Sequence, residues 1–257
     1  MVVSQTVTEK TRKSVGMLNL LLLASSLMTR IPIPQRENIR AEEFARAALF
    51  FPLGGALIGA VLILPLVFFP LSSPILLAAI LTFLWTAITG GLYLKGVGSS
   101  ADAWIGGIGD EEKTHRILND KITGDAGTTA IVGILILKFA ALTVLVEHTH
   151  LWSIALAPVL GRALMLLMFV TTRCVRAEGL ASAVTTYLQR DLVRLILALC
   201  LLLAVIVSLN GLLLMLAGFL FVRRLELKRL GGCTMDTAGA SVEFGEMFWL
   251  VGVALMV

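Results

Sequence analysis

The sequence predicts an all-α fold, a polytopic transmembrane helical bundle of about seven spans preceded by an N-terminal interfacial helix. Residues 1–257 read as a single integral membrane domain. Three observations carry that expectation. Of the 257 residues, 58% are hydrophobic and only 15% charged, with a mean hydropathy of +0.93, far from ordinary soluble composition. Several apolar blocks approach or exceed the roughly 20 residues a helix needs to cross about 30 Å of hydrocarbon. Nineteen of the twenty-one lysines and arginines fall in four clusters, before Phe50 and within 95–121, 173–194 and 223–229, which a consistent threading puts on one side, as cytoplasmic loops require.

Taken in order, Lys10, Arg12 and Lys13 precede an apolar run from Val15 to Met28. The run ends in Thr29-Arg30-Ile31-Pro32-Ile33-Pro34 and not in a small-residue cleavage site, so it reads as a retained segment, and its length suits an interfacial helix. Spans are expected at about Phe50–Pro70, Ser73–Leu94, Gly127–Val146, Leu151–Thr171, Leu192–Ser208, Gly211–Val222 and Ala238–Val257. The stretch from Leu192 to Val222 is expected to be a hairpin turning at Ser208-Leu209-Asn210-Gly211. Asn-Gly is a strong turn signal, and only a hairpin returns Arg223, Arg224, Lys228 and Arg229 to the positive side. Gly54, Gly55 and Gly59 read as a close helix crossing.

The three cysteines form no CxxC or Cys/His spacing, which excludes a sequence-evident zinc site or disulfide frame. His115, His148 and His150 stand apart from any ligand set. The basic residues are explained by topology, so no nucleic-acid partner is expected; the partners are the lipid bilayer and small molecules, and a homo-oligomer is compatible with the chain.

Chemistry concentrates where carboxylates meet the membrane boundary. Asp236, Glu243 and Glu246 occupy the last motif, and Asp102, Asp110, Asp120 and Asp125 lie between the second and third spans. Asp236 and Glu243, seven residues apart, fall on one helical face, and hard oxygen donors among glycines suit Mg²⁺ holding a diphosphate. The structural alternative is equally open: Glu243 and Glu246 neutralise Lys138 or Arg162, cations that are costly inside a bundle unless paired. Arg162 divides in the same way between a carboxylate partner and a phosphate, and Arg30 between snorkelling and diphosphate binding. Asp110-Glu111-Glu112 reads as a solvated helix start, with Glu112 and Arg116 as an i,i+4 pair.

The motifs SSLMTRIPIP, FARAALFFPLGGALIG, GGLYLKGVGSSADAW, RILNDKITGDAG, LAPVLGRALM and GGCTMDTAGASVEFGE run the length of the chain in an order that resembles the cobalamin synthase family, adenosylcobinamide-GDP ribazoletransferases. In the last motif Gly231, Gly232, Thr234, Asp236, Gly239, Ala240, Glu243 and Glu246 stand at the family's spacing. The resemblance implies a Mg²⁺-dependent enzyme of a bacterial or archaeal cytoplasmic membrane, its site facing the cytoplasm. Its substrates are adenosylcobinamide-GDP and α-ribazole or its phosphate, and GMP leaves. It further implies Asp102 and Asp236 as catalytic residues and Asp102, Asp120, Asp236 and Glu243 as metal ligands. Arg30, Lys95, Lys121, Arg162 and Thr234 would bind substrate. Where the family's second motif carries three aspartates, this chain has Lys95, Ser99 and Asp102; a lysine there repels Mg²⁺ and attracts phosphate. Two alternatives stay open. One is a phosphotransferase acting on another nucleotide-activated alcohol. The other is a catalytically impaired member serving as a membrane subunit or transporter, with Lys138, Arg162 and Glu243 lining a path or making structural pairs.

Overall fold

The computed structural model describes residues 16–30, 39–120, 122–175 and 180–257. Lys10, Arg12 and Lys13 before the first helix, the Ile31–Pro34 segment and Lys121 lie outside the described residues. Within them the chain forms α1 (Met17–Met28), α2 (Ala41–Ala48), α3 (Phe51–Phe68), α4 (Pro74–Thr89), α5 (Leu92–Gly106) and α6 (Glu111–Leu118). It continues through α7 (Asp125–Glu147), α8 (Leu151–Thr171), α9 (Leu180–Tyr187), α10 (Arg190–Val207), α11 (Leu209–Leu230) and α12 (Met235–Ala254). No strand occurs among the described residues; Cys174 and Cys233 make an isolated bridge.

The bundle is organised around α12, fourteen of whose twenty residues are buried. Its N-terminus is fixed locally: Thr234 and Thr237 cap each other's backbone N–H groups at 3.2 and 2.9 Å, which starts the helix three residues earlier than hydropathy suggests. Small residues let neighbours close on one another. A Cβ at Gly55 would meet the Pro158 carbonyl oxygen at 2.4 Å and one at Gly59 the Ala155 oxygen at 2.2 Å, so the glycines of α3 form the expected close crossing, against α8. On α1, Leu20, Ala24 and Met28 are buried, one face at four-residue spacing packing onto the bundle while Met17, Leu18 and Leu22 stay exposed.

Two corrections to the expected spans matter. Among the described residues three helices are long and apolar enough to cross a membrane, α3, α7 and α8, or up to four if α4 and α5 count as one bent span. The expected count of seven is not reached on length and apolarity, because α10, α11 and α12 carry charges within or beside their apolar stretches, such as Arg194, Glu226 and Glu243. The expected span Ser73–Leu94 is also broken. Gly90 and Gly91 both adopt positive φ, +60° and +65°, a conformation that ends a helix and that glycine adopts without steric cost. The chain turns through 88° there, so Lys95, Ser99 and Asp102 lie on a helix set nearly at right angles to α4, not on a loop.

The hairpin between α10 and α11 is present. Leu197, Cys200 and Leu201 of α10 and Leu212, Met215 and Leu216 of α11 face one cavity with α8, and Arg223 donates to the Thr171 carbonyl at 2.7 Å and the Thr172 hydroxyl at 2.9 Å. The break falls at Ser208, whose hydroxyl accepts from Gly211 N–H at 3.1 Å, so Asn210-Gly211 begins α11 and does not form the turn itself. Asp110 caps α6 through Lys113 N–H at 2.9 Å. The ion pair on that helix joins Glu111 to His115 at 3.8 Å, in place of the expected Glu112–Arg116 pair.

Candidate active site

At the end of the bundle where α1, α4 and α8 finish and α3, α5 and α12 begin lies a cavity of about 270 Å³. Its walls are apolar and aromatic, with Leu27, Met28, Phe44, Phe51, Tyr93 and Met165 among them; Arg30 and Asp236 bring the two charges. The Phe44 and Phe51 rings meet edge to face, 6.5 Å apart at 79°. Arg30 is held by its backbone N–H, which donates to Ile88 O at 2.7 Å, and its side chain lies over Gly90, where a Cβ would strike its Cγ at 2.2 Å. Asp236 sits in the first turn of α12. Gly96 of α5 rests on that turn so closely that a Cβ would meet the Asp236 carbonyl oxygen at 2.3 Å. Among the described residues neither Arg30 nor Asp236 has an ion-pair partner.

The expected site residues do not all gather here. Glu243 belongs to a buried ion network: Lys138 Nζ lies 2.6 Å from Glu243 Oε2 and 2.5 Å from Glu246 Oε2, and the Arg162 guanidinium donates to Glu246 Oε1 and to Pro158 O at 3.2 Å. All four are buried, and two cations offset two carboxylates. Each cation also faces a ring, Lys138 over Trp85 at 4.3 Å and Arg162 over Tyr93 at 5.0 Å. Of the two alternatives for Glu243 and Arg162, their contacts realise the structural one. The network still serves the cavity, because the Tyr93 ring that forms part of its wall is wedged between Arg162 and Gly239, where a Cβ would come within 3.2 Å of the ring.

Asp102 is engaged elsewhere. Its two carboxylate oxygens accept from Gly124 N–H at 2.6 Å and Gly127 N–H at 2.7 Å, tying α5 to the N-terminus of α7, where unsatisfied donors and the helix dipole favour an anion. Asp120 is exposed and accepts from Ile122 N–H at 3.2 Å. Lys95 is exposed on α5, and Thr234 is the buried cap of α12. The structure thus brings together Arg30 and Asp236 of the expected set and separates them in role from Asp102, Asp120 and Glu243. Among the described residues no three His, Cys, Asp or Glu side chains form a group that could hold a metal ion. Sequence reasoning missed the walls, since an apolar residue gives no signal in so apolar a chain. Phe44 alone was accessible, through the short amphipathic pattern AEEFARAA that buries Phe44, Ala45, Ala47 and Ala48.

Fold and site together define a polytopic α-helical membrane protein with a small, aromatic-walled cavity lined by one cation and one carboxylate. The chain belongs to the cobalamin-5-phosphate synthase family, whose model matches residues 20–254. It is 41% identical over 240 residues to an adenosylcobinamide-GDP ribazoletransferase of Stutzerimonas stutzeri (strain A1501), covering 92% of this chain and 98% of that protein. It is 44% identical over 237 residues to one of Pseudomonas entomophila (strain L48), covering 91% and 96%. A third, from Acinetobacter baumannii, is 39% identical over 229 residues, covering 87% and 92%. No solved structure matches the chain.

Proposed function

We propose that this protein is the membrane transferase that joins adenosylcobinamide-GDP to α-ribazole, or its phosphate, in cobalamin assembly. The observation that carries the reading, beyond family membership, is the convergence of Arg30 and Asp236 on one cavity, neither with an ion-pair partner among the described residues. In this reaction a ribazole hydroxyl oxygen attacks the phosphorus bonded to the cobinamide side. A new P–O bond forms, the bridging P–O bond breaks, and GMP departs with its electron pair. The guanidinium of Arg30 is suited to hold the phosphoryl oxygens as charge shifts toward the leaving group. Asp236 is suited to orient the attacking hydroxyl and accept its proton.

Magnesium remains part of the proposal in a narrower form than the four expected ligands. Mg²⁺ commonly takes one or two protein carboxylates and completes its shell with water and substrate phosphate oxygens, and Asp236 is the carboxylate available at the cavity. When bound, the ion would neutralise the diphosphate. The site is proposed to face the cytoplasm, because Arg30 at the cavity and Arg223 at the C-terminal end of α8 belong to the clusters expected on that side.

The test is turnover by the purified protein in detergent, with adenosylcobinamide-GDP, α-ribazole and several Mg²⁺ concentrations, followed by chromatography for cobalamin and GMP. Asp236→Asn is expected to lower transfer by at least about 100-fold, at the low end for loss of an acid–base group, at every Mg²⁺ concentration. Wild-type turnover surviving in that variant would remove Asp236 from the site.

A further inference from the structure

Resting on the ribazole-transfer reading, we infer that the cavity is the subsite for the aromatic base of the ribazole nucleoside, and that its walls select a base with few hydrogen-bonding groups while the corrinoid stays outside. Size comes first. At about 270 Å³ the cavity lies just below the small end of ligand sites, about 300–1,000 Å³, which suits a nucleoside and is far too small for a corrin ring with its nucleotide.

Wall chemistry then selects within nucleosides. Phe44, Phe51 and Tyr93 offer ring faces and edges, and Met28, Met165 and Leu27 offer polarisable or aliphatic surface. The hydroxyls that line the space already donate elsewhere. Ser26 Oγ donates to Leu23 O at 2.8 Å, Thr29 Oγ1 to Ser25 O at 2.8 Å and Thr89 Oγ1 to Trp85 O at 3.1 Å. Tyr93 Oη donates to the Met28 sulfur. A benzimidazole ring, with a single ring nitrogen to satisfy, loses little by entering. An adenine ring would bury three ring nitrogens that need donors, and the hydroxyl protons of these walls are already committed; buried acceptors without partners are penalised. The charged pair would then meet the ribose hydroxyls and the phosphate, leaving the base to the apolar walls.

Full-length wild type and Met165→Gln are compared by varying each substrate in turn, and binding of α-ribazole and of the corresponding adenine riboside is measured by equilibrium dialysis without the corrinoid. Wild type is expected to bind α-ribazole without adenosylcobinamide-GDP and to favour it over the adenine riboside by about tenfold or more. In Met165→Gln the KM for ribazole should rise about tenfold, the KM for adenosylcobinamide-GDP should stay unchanged, and the preference should narrow because the wall now carries an amide. If that variant does not fold, Leu27→Gln, at a half-buried wall position, is measured in the same way. An unchanged ribazole KM, or a rise confined to adenosylcobinamide-GDP, overturns the subsite. A protein that transfers ribazole without base preference fails this inference alone. One that binds ribazole selectively and transfers nothing fails the transfer reading alone.

Discussion

Glu226 shows how one side chain sets a pH dependence. It lies past the apolar part of α11 and is fully buried, and among the described residues neither oxygen has a hydrogen-bond partner; the Thr237 hydroxyl beside it points to the Thr234 carbonyl oxygen 3.3 Å away. Burial pushes its carboxyl from the ordinary 4.5 up to about 8, against the opposing pull of Arg223. An acid whose pKa is raised by folding holds its proton in the native state after the unfolded chain has lost it. Stability therefore falls as pH rises from about 4.5 to about 8. Glu226→Gln should flatten that decline and raise the thermal midpoint at pH 8 relative to wild type. Melting curves in detergent from pH 5 to 8 are the measurement, and parallel curves for the two proteins would refute the account.

At the scale of elements, the decisive contact is α5 lying across the start of α12. Gly96 is the point of touch, and the atom a Cβ would meet there is backbone, 2.3 Å away, so no side chain can swing aside. Gly96→Ala should cost roughly 1–3 kcal/mol, as overpacking does, and should reduce ribazole transfer because Asp236 moves with the first turn of α12. A circular-dichroism melt paired with the transfer assay tests both; full stability with full activity would contradict the packing.

The same elements show what could be seen in the sequence. The bounds of α8 and the Ser208 break were legible because apolar length and a polar interruption are local signals. The glycine crossing on α3 was legible from spacing. The right angle at Gly90-Gly91 was not, since two glycines inside an apolar block read equally as a packing site. Glu243 and Arg162 left two alternatives, because the choice depended on Lys138, 105 residues from Glu243 in the chain. Asp236 and Arg30 were visible as charges at a boundary. Their meeting in one cavity was not, since it depends on the packing of seven helices.

At the scale of the whole molecule, the threading that puts the lysines and arginines on one side makes a labelling prediction. Ser99 and Thr237 are buried, so exposed positions are the useful probes. In a cysteine-free background, Glu112→Cys and Lys228→Cys should react with an impermeant maleimide only from the cytoplasmic side. His148→Cys, at the opposite end of α7, should react only from outside. Labelling of Glu112→Cys and Lys228→Cys from different sides would separate the loops that flank the site.

The neutral core network also bears on biosynthesis. Lys138 leaves the ribosome 105 and 108 residues before its two carboxylates, and Arg162 leaves 84 residues before Glu246. During translation α7 and α8 thus emerge each with one cation whose partner in α12 does not yet exist. They must wait at the translocon or keep those side chains near a headgroup layer until α12 arrives. α12 is therefore the helix that neutralises both cations. A chain that stops short of it would carry two unneutralised cations into the membrane, where such charges are costly.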